Sequence, residues 1–382
     1  VYEYYATTNI GLEYVVTDEL QKMLSIYADP LIGIVRFKGS LDLIYKINLL
    51  SRTVHKVILL IGETDFDNIY DIYKFSRYLS YTNYIERNQS FAVRVERIGN
   101  HPFNSMQVAE RVGQAIIESF MSETGHRLKV NLDSPDVEIF CRIRENHIII
   151  GVNTTGESLH KRGYRVYDHP AALSTTIAAS MIYISEWNTK QIFLDPMCGG
   201  GTIPIEAALI ARKIPLKIFR ERSKIGFAFE RLKLFEKDVY EKISNEIMKS
   251  SNNNIYNIYG IDISQKYLNG AIKNAESASV LDTIKFIKGD SRKLENILNF
   301  TPEVIIVNPP YGKRSSNPRH IKKLYPEFLK SVSKVMKNGT MIVITAAPNI
   351  FKREALKNGF IIEKEYNTRH GNLPVRIIKI KT

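Results

Sequence analysis

Asn308-Pro309-Pro310-Tyr311 sets an amide, two proline-fixed carbonyls and an aromatic ring directly after the apolar run Val304-Ile305-Ile306-Val307. The Asn308 amide oxygen and the Pro309 carbonyl can accept both hydrogens of a planar amine. That draws the nitrogen lone pair out of conjugation and aims it at an electrophilic carbon. Tyr311 can stack on the base that carries such an amine, and the prolines fix the loop before a substrate arrives. For four residues alone, a tight turn is the plainer alternative.

A second group lies upstream in Asp195-Pro196-Met197-Cys198-Gly199-Gly200-Gly201-Thr202, which follows the apolar run Ile192-Phe193-Leu194 and leads into a helical stretch over 203–212. Glycines let main chain approach a ligand closely, and a helix start offers unpaired N–H groups at a positive dipole end. The spacing matches neither the dinucleotide fingerprint nor the P-loop, so a nicotinamide cofactor and a nucleoside triphosphate are not favoured. Asp262 closes the run Ile258-Tyr259-Gly260-Ile261, and Asp290 follows Ile284 to Gly289. The first is placed to receive ribose hydroxyls and the second an adenine amino group, and their neighbours Ile263 and Ser291 are counted with them as candidate cofactor-binding residues. Each acid alone is ordinarily a loop-solvating carboxylate. The ordered series Asp195, Asp262, Asp290, Asn308 instead marks one edge of a parallel sheet, where α/β folds bind ligands.

The elements that must position these residues are alternating strands and helices, hence an α/β fold. In the first half, strands are expected over 2–8, 31–38, 55–61, 91–98, 129–132, 137–143 and 147–152, with helices near 11–24, 41–50, 67–79 and 105–120. Val108, Val112, Ala115, Ile116 and Phe120 recur at helical spacing and predict a core face. Residues 224–249 read as one or two added helices in which Phe227, Phe229, Arg231 and Phe235 form a packed face or a substrate contact. A buried packing role fits Cys198 better than a nucleophile.

These motifs resemble those of the class I S-adenosylmethionine-dependent methyltransferases, and more closely the RNA guanine-N2 methyltransferases that carry a THUMP domain. The likeness spans most of the chain. It implies a Rossmann-like catalytic domain with a mostly parallel seven-stranded sheet, preceded by a ferredoxin-like plus THUMP α/β module. The implied bounds are 1–60 for the ferredoxin-like unit, 61–155 for THUMP, 156–190 for a linker and connecting helix, and 191–382 for the methyltransferase domain. The resemblance further implies S-adenosyl-L-methionine as donor, Asp195 to Thr202 as its methionine-binding loop, and Asn308 to Tyr311 as the catalytic loop. Where relatives carry Pro-Gly after the first catalytic helix, this chain reads Ile214-Pro215-Leu216-Lys217. Asn-Pro-Pro-Tyr also serves enzymes acting on adenine N6 or on glutamine side chains of proteins. The resemblance favours guanine N2 in RNA, and the archaeal branch acting on guanine 6 of the tRNA acceptor stem is nearest in length; bacterial counterparts act on ribosomal RNA. A non-catalytic RNA-binding scaffold is the remaining alternative.

Charge points the same way. Residues 1–155 hold 16 Lys+Arg against 19 Asp+Glu, net −3, while 156–382 hold 37 against 21, net +16. A basic surface favours a polyanion. Lys161, Arg162 and Arg165, the stretch from Arg212 to Lys224, and Lys313, Arg314 and Arg319 beyond the catalytic loop are the expected phosphate contacts. The two cysteines, Cys141 and Cys198, are too few for a disulfide framework or a cysteine zinc site, and no run is long and apolar enough to span a membrane. With no metal and no signal segment expected, the protein is expected to be cytoplasmic and monomeric.

Overall fold

The computed structural model describes residues 1–310 and 318–382, and of 318–320 the backbone alone. Its first half is one sheet of eight strands: β1 (Tyr2–Thr7), β2 (Ala28–Leu31), β3 (Ile34–Gly39), β4 (Lys56–Asp65), β5 (Ser90–Ile98), β6 (Lys129–Val130), β7 (Val137–Arg144) and β8 (His147–Asn153), in the order β2-β3-β1-β4-β8-β7-β5-β6. The two parts expected on either side of residue 60 share this one sheet, because β4 pairs antiparallel with β8 from Ile58 opposite Asn153 to Asp65 opposite His147.

Two expectations change here. The single strand over 31–38 is a hairpin, since Gly33 takes φ +75° and its N–H donates to Glu13 Oε1 at 2.7 Å, which turns the chain between β2 and β3. The strand expected over 129–132 stops after two residues, because Asn131 Oδ1 accepts from the N–H groups of Asp133 and Ser134 and bends the chain away. The helix Ser105–Thr124 follows its pattern closely. Asn104 and Gln107 form a capping box, Gly125 ends the helix in the left-handed region, and the five apolar positions named above are buried.

The second half holds seven strands: β9 (Phe193–Asp195), β10 (Ile258–Asp262), β11 (Ile284–Lys288), β12 (Val304–Val307), β13 (Thr340–Thr345), β14 (Ile361–His370) and β15 (Leu373–Lys381), in the order β11-β10-β9-β12-β13-β15-β14. All pairings are parallel except those of β15. The chain first builds outward from β9 to β11, then returns to place β12 on the other side of β9. That reversal opens a crevice at the carboxyl ends of β9 and β12. The helix Thr175–Ser185 covers this sheet and is buried almost all round, which explains its run of Ala, Ile, Met and small polar residues.

The added segment is structural. Phe227 and Phe229 stack, Phe229, Phe235 and Tyr240 surround Tyr45 of the first half, and Arg231 Nε donates to the Asp136 carbonyl. The packed-face reading of these aromatics therefore holds. No helix among the described residues is long and apolar enough to cross a membrane.

Candidate active site

At the crevice lies a cavity of about 760 Å³ whose lining includes residues 195–200, Thr202, Asp262, Ile263, Asp290, Ser291 and 308–310. The sequence-chosen acids and Asn308 thus meet in one place, although they come from four strands spread over more than a hundred residues. Gly201 is the one member of the glycine turn outside the lining. It caps the helix Thr202–Ala211 at φ +82°, and a Cβ there would meet Ala271 at 3.0 Å.

Asp195 is 1% exposed, and its Oδ1 accepts the Met197 N–H at 3.1 Å. Burial, with the nearby charge of Asp262 adding to it, pushes this carboxyl well above the usual carboxylate range. Asp262 Oδ2 accepts from the Gly199 N–H at 2.9 Å and its Oδ1 from the Ser264 N–H at 2.8 Å, so strand end and glycine turn are fastened together. Neither acid is ion-paired among the described residues. Two such carboxylates in one cavity suit a ligand that brings its own positive charge and hydroxyl donors. Ile263, 63% exposed, offers a flat apolar surface for a ring. Asp290 is shared differently: the Arg292 guanidinium grips both its oxygens, at 2.6 to 3.1 Å, and holds its carboxyl below the usual range. Burial pushes the Cys198 thiol well up, which fits packing rather than nucleophilic attack.

Asn308 is half-buried, Pro309 buried and Pro310 exposed, all at the cavity. Tyr311, Lys313 and Arg314 lie outside the described residues, as does the side chain of Arg319.

The basic segment before the catalytic domain needs correction. Arg162 was expected to meet RNA, but it is 3% exposed. Its guanidinium pairs with the buried Glu206 at 3.2 Å and donates to the Leu159 and Arg52 carbonyls, so it anchors the two halves to each other. Arg165 is half-buried and donates to the Leu173 carbonyl and to Thr202 Oγ1, holding the glycine turn rather than reaching outward. Arg212 and Arg220 are likewise interior, the first on Asp282, the second on the carbonyls of Thr155 and Gly226. Lys161 stays exposed, beside Glu157.

What the sequence reading missed is the opposite wall. Residues 169–173 and the β14–β15 hairpin tip at 370–373 also line the cavity. The segment 164–173 is a strap clipped by Asn274, whose Oδ1 accepts from the N–H groups of Val166 and Tyr167 while its Nδ2 donates to the carbonyls of Tyr167 and Gly200. Gly270, on the same helix, leaves room for the Tyr167 ring, which a Cβ would meet at 2.2 Å. An asparagine among alanines and a glycine inside a helix were the available signals.

A family described as an RMKL-like methyltransferase domain matches residues 162–375. The chain belongs to this family. Within the methyltransferase, a THUMP domain matches residues 66–153 and an RlmL ferredoxin-like domain residues 3–58. The methyltransferase is 44% identical to a tRNA (guanine(6)-N2)-methyltransferase of Methanocaldococcus jannaschii over 98% of each chain. It is 36% identical to the protein of that name from Archaeoglobus fulgidus, over 99% of this chain and 92% of that one. The ribosomal RNA large subunit methyltransferase K/L of Vibrio cholerae is 30% identical over 85% of this chain but only 46% of its own length. Among solved structures, SMU.472 complexed with SAH superposes with a TM-score of 0.88 at 25% identity, covering 99% of this chain and 97% of that one.

Proposed function

We propose that the chain transfers a methyl group from S-adenosyl-L-methionine to the exocyclic N2 amine of guanine 6 in the acceptor stem of tRNA, releasing S-adenosyl-L-homocysteine. The observation that carries this reading is that Asn308 and Pro309 line the same cavity as Asp195, Gly199 and Asp262. An amine-holding loop and a nucleoside-holding turn share one space. The full-length likeness to two archaeal guanine-N2 enzymes supports the choice of base and RNA.

When bound, the cofactor supplies a methyl on a positively charged sulfur, suited to a cavity lined by Asp195 and Asp262. Asp195, Pro196, Met197, Cys198, the glycines and Thr202 hold its amino-acid end; Asp262 takes ribose hydroxyls, with Ile263 against the base; Asp290, steadied by Arg292, and Ser291 face the adenine edge. Guanine N2 is a poor nucleophile because its lone pair is delocalised into the ring. Asn308 Oδ1 and the Pro309 carbonyl accept its two hydrogens, pyramidalise the nitrogen and direct its lone pair in line with the methyl. The extra proton leaves the charged product afterwards, so no strong base is needed at position 308. Pro310 stiffens the loop and Tyr311 stacks on the extruded base. Lys161, Lys313, Arg314 and Arg319 hold flanking phosphates, and the first 155 residues read the shape of the folded RNA. A cytoplasmic monomer, with modules bounded near 60, 155 and 190, completes the reading.

Parallel incubations of unmodified tRNA, ribosomal RNA and cell protein with labelled S-adenosyl-L-methionine, followed by nucleoside and amino-acid mass spectrometry and fragment mapping of the tRNA, test it. N2-methylguanosine at one acceptor-stem position is expected. Label in N6-methyladenosine, in ribosomal RNA alone or in protein glutamine would overturn the substrate, and no transfer to any RNA would favour a binding scaffold.

A further inference from the structure

The helix Pro318–Val335 carries charge of one sign along one face. Its inner side, with Ile321, Tyr325, Phe328, Leu329 and Val332, is buried on the catalytic sheet. Its outer side presents Lys323, Lys330 and Lys334 at i, i+7 and i+11, with Lys337 just past the helix end, and all four are exposed. Glu327 is the one acid of this helix; Arg292 meets it at 3.3 Å, and Lys323 stands 3.9 Å from its other oxygen. Lys334 pairs with Glu295, while Lys330 and Lys337 have no ion pair among the described residues.

Solubility does not call for such a stripe, because a solvated helix face ordinarily mixes both signs. The helix Lys237–Lys249 does so, with Lys237, Lys242 and Lys249 set among Asp238, Glu241 and Glu246. On the helix Pro318–Val335, by contrast, Lys330 and Lys334 stand one turn apart as like charges, which works against the helix in isolation. A polyanion laid along the face would offset that repulsion.

The stripe starts at the cavity. Leu324, next to Lys323, lines it together with Asn308, and from there the helix carries the lysines about 16 Å away from the rim, counted from Lys323 to Lys334. Alternate residues of β12 show which face this is. Val304 and Ile306 join the core that holds Leu12 and Val15 of the first half, whereas Ile305 and Val307 join the core beneath this helix. The lysines therefore lie on the opposite face of the catalytic sheet from the first half of the chain. A nucleotide within a stem has backbone on both sides of it. We propose that the lysine stripe is an RNA-docking surface, which holds the phosphates flanking the target nucleotide on the side that the first half does not reach. The inference rests on the reading of tRNA as the substrate. Contacts of this kind add affinity and fix the register of the RNA without reading its sequence.

Binding of unmodified tRNA to the full chain at a series of salt concentrations tests it. One variant combines Lys323→Gln, Lys330→Gln and Lys337→Gln. A second, with Lys237→Gln, Lys242→Gln and Lys249→Gln, removes the same charge from the balanced helix. All six side chains are exposed, so neither set disturbs the core. The first variant should bind tRNA about ten- to a hundredfold more weakly at low salt, and its plot of log affinity against log salt should be shallower by about two to three. The second should stay within about twofold of the wild type, with its slope unchanged. Equal losses in the two variants would mean that net charge alone acts; that result, or an unchanged first variant, overturns the proposal. No binding of tRNA by the wild type would instead defeat the substrate reading, and the stripe as a tRNA surface with it.

Discussion

The two walls of the cavity are built by different rules. The strand-end wall is set by main-chain register: Gly260 pairs with Asp195, and Asp262 follows two residues later in the same strand, opposite Lys288, so its groups arrive wherever the parallel sheet forms. The covering wall, 164–173 with the hairpin tip, is held by side-chain contacts, namely Arg162 on Glu206, Arg165 on Thr202, Asn274 on the strap, and His370 Nε2 within 3.2 Å of the Ala172 carbonyl. On the proposed reading, the reacting groups and the main cofactor contacts sit on the wall that topology fixes. Stability, and a smaller adjustment of affinity, come from the wall that tertiary contacts hold.

The largest effect should come from the covering wall. Arg162→Ala leaves Glu206 buried without its ionic partner, with only the Tyr164 hydroxyl still donating to it, and chemical denaturation should show a loss of about 3–5 kcal/mol. RNA affinity of the folded fraction should stay unchanged; a stable variant with weakened RNA binding would reverse the assignment made here. On the strand-end wall, Asn308→Ala should lower single-turnover methyl transfer by about 10²–10³ while S-adenosylhomocysteine binds within about twofold of wild type. Full activity in that variant would end the proposed mechanism. Asp262→Ala removes charge-assisted acceptors, so calorimetry should report cofactor affinity about ten- to a hundredfold weaker. The smallest change is expected for Asn274→Ala. It touches no ligand, yet by releasing the strap it should weaken cofactor binding about threefold to tenfold and lower stability by about 1–2 kcal/mol. If it altered only the rate of the chemical step, the division between the walls would not hold.

Much of the fold and the strand-end site was legible, and the reason is geometric. Val304 to Val307 is a continuous β-branched run that only a strand buried on both faces explains, so the group after it must sit at a sheet edge. The same holds for Asp195 after Phe193-Leu194 and Asp262 after Ile261. Arginines were misleading because a count of charge carries no direction. Arg162, Arg212 and Arg220 contribute to the basic surplus of the second half, yet their guanidinium groups point inward to Glu206, Asp282 and main-chain carbonyls. Asn274 was only faintly marked because its partners lie far along the chain: it binds Val166 and Tyr167 across 108 and 107 residues. The β2–β3 hairpin was hidden for a local reason, since Ile32-Gly33 interrupts what otherwise reads as one apolar run.

The aromatic patch around Tyr45 bears on how this molecule can be dissected. Tyr45 comes from the first half of the chain, whereas Phe229, Phe235 and Tyr240 come from the added segment of the second, and Leu216 donates its N–H to the Leu49 carbonyl nearby. A catalytic fragment cut near residue 190 would expose a bare greasy flank of three rings and self-associate. The modules are sequential in the gene but interlocked in space, so neither could be lent to another protein without carrying part of its neighbour along.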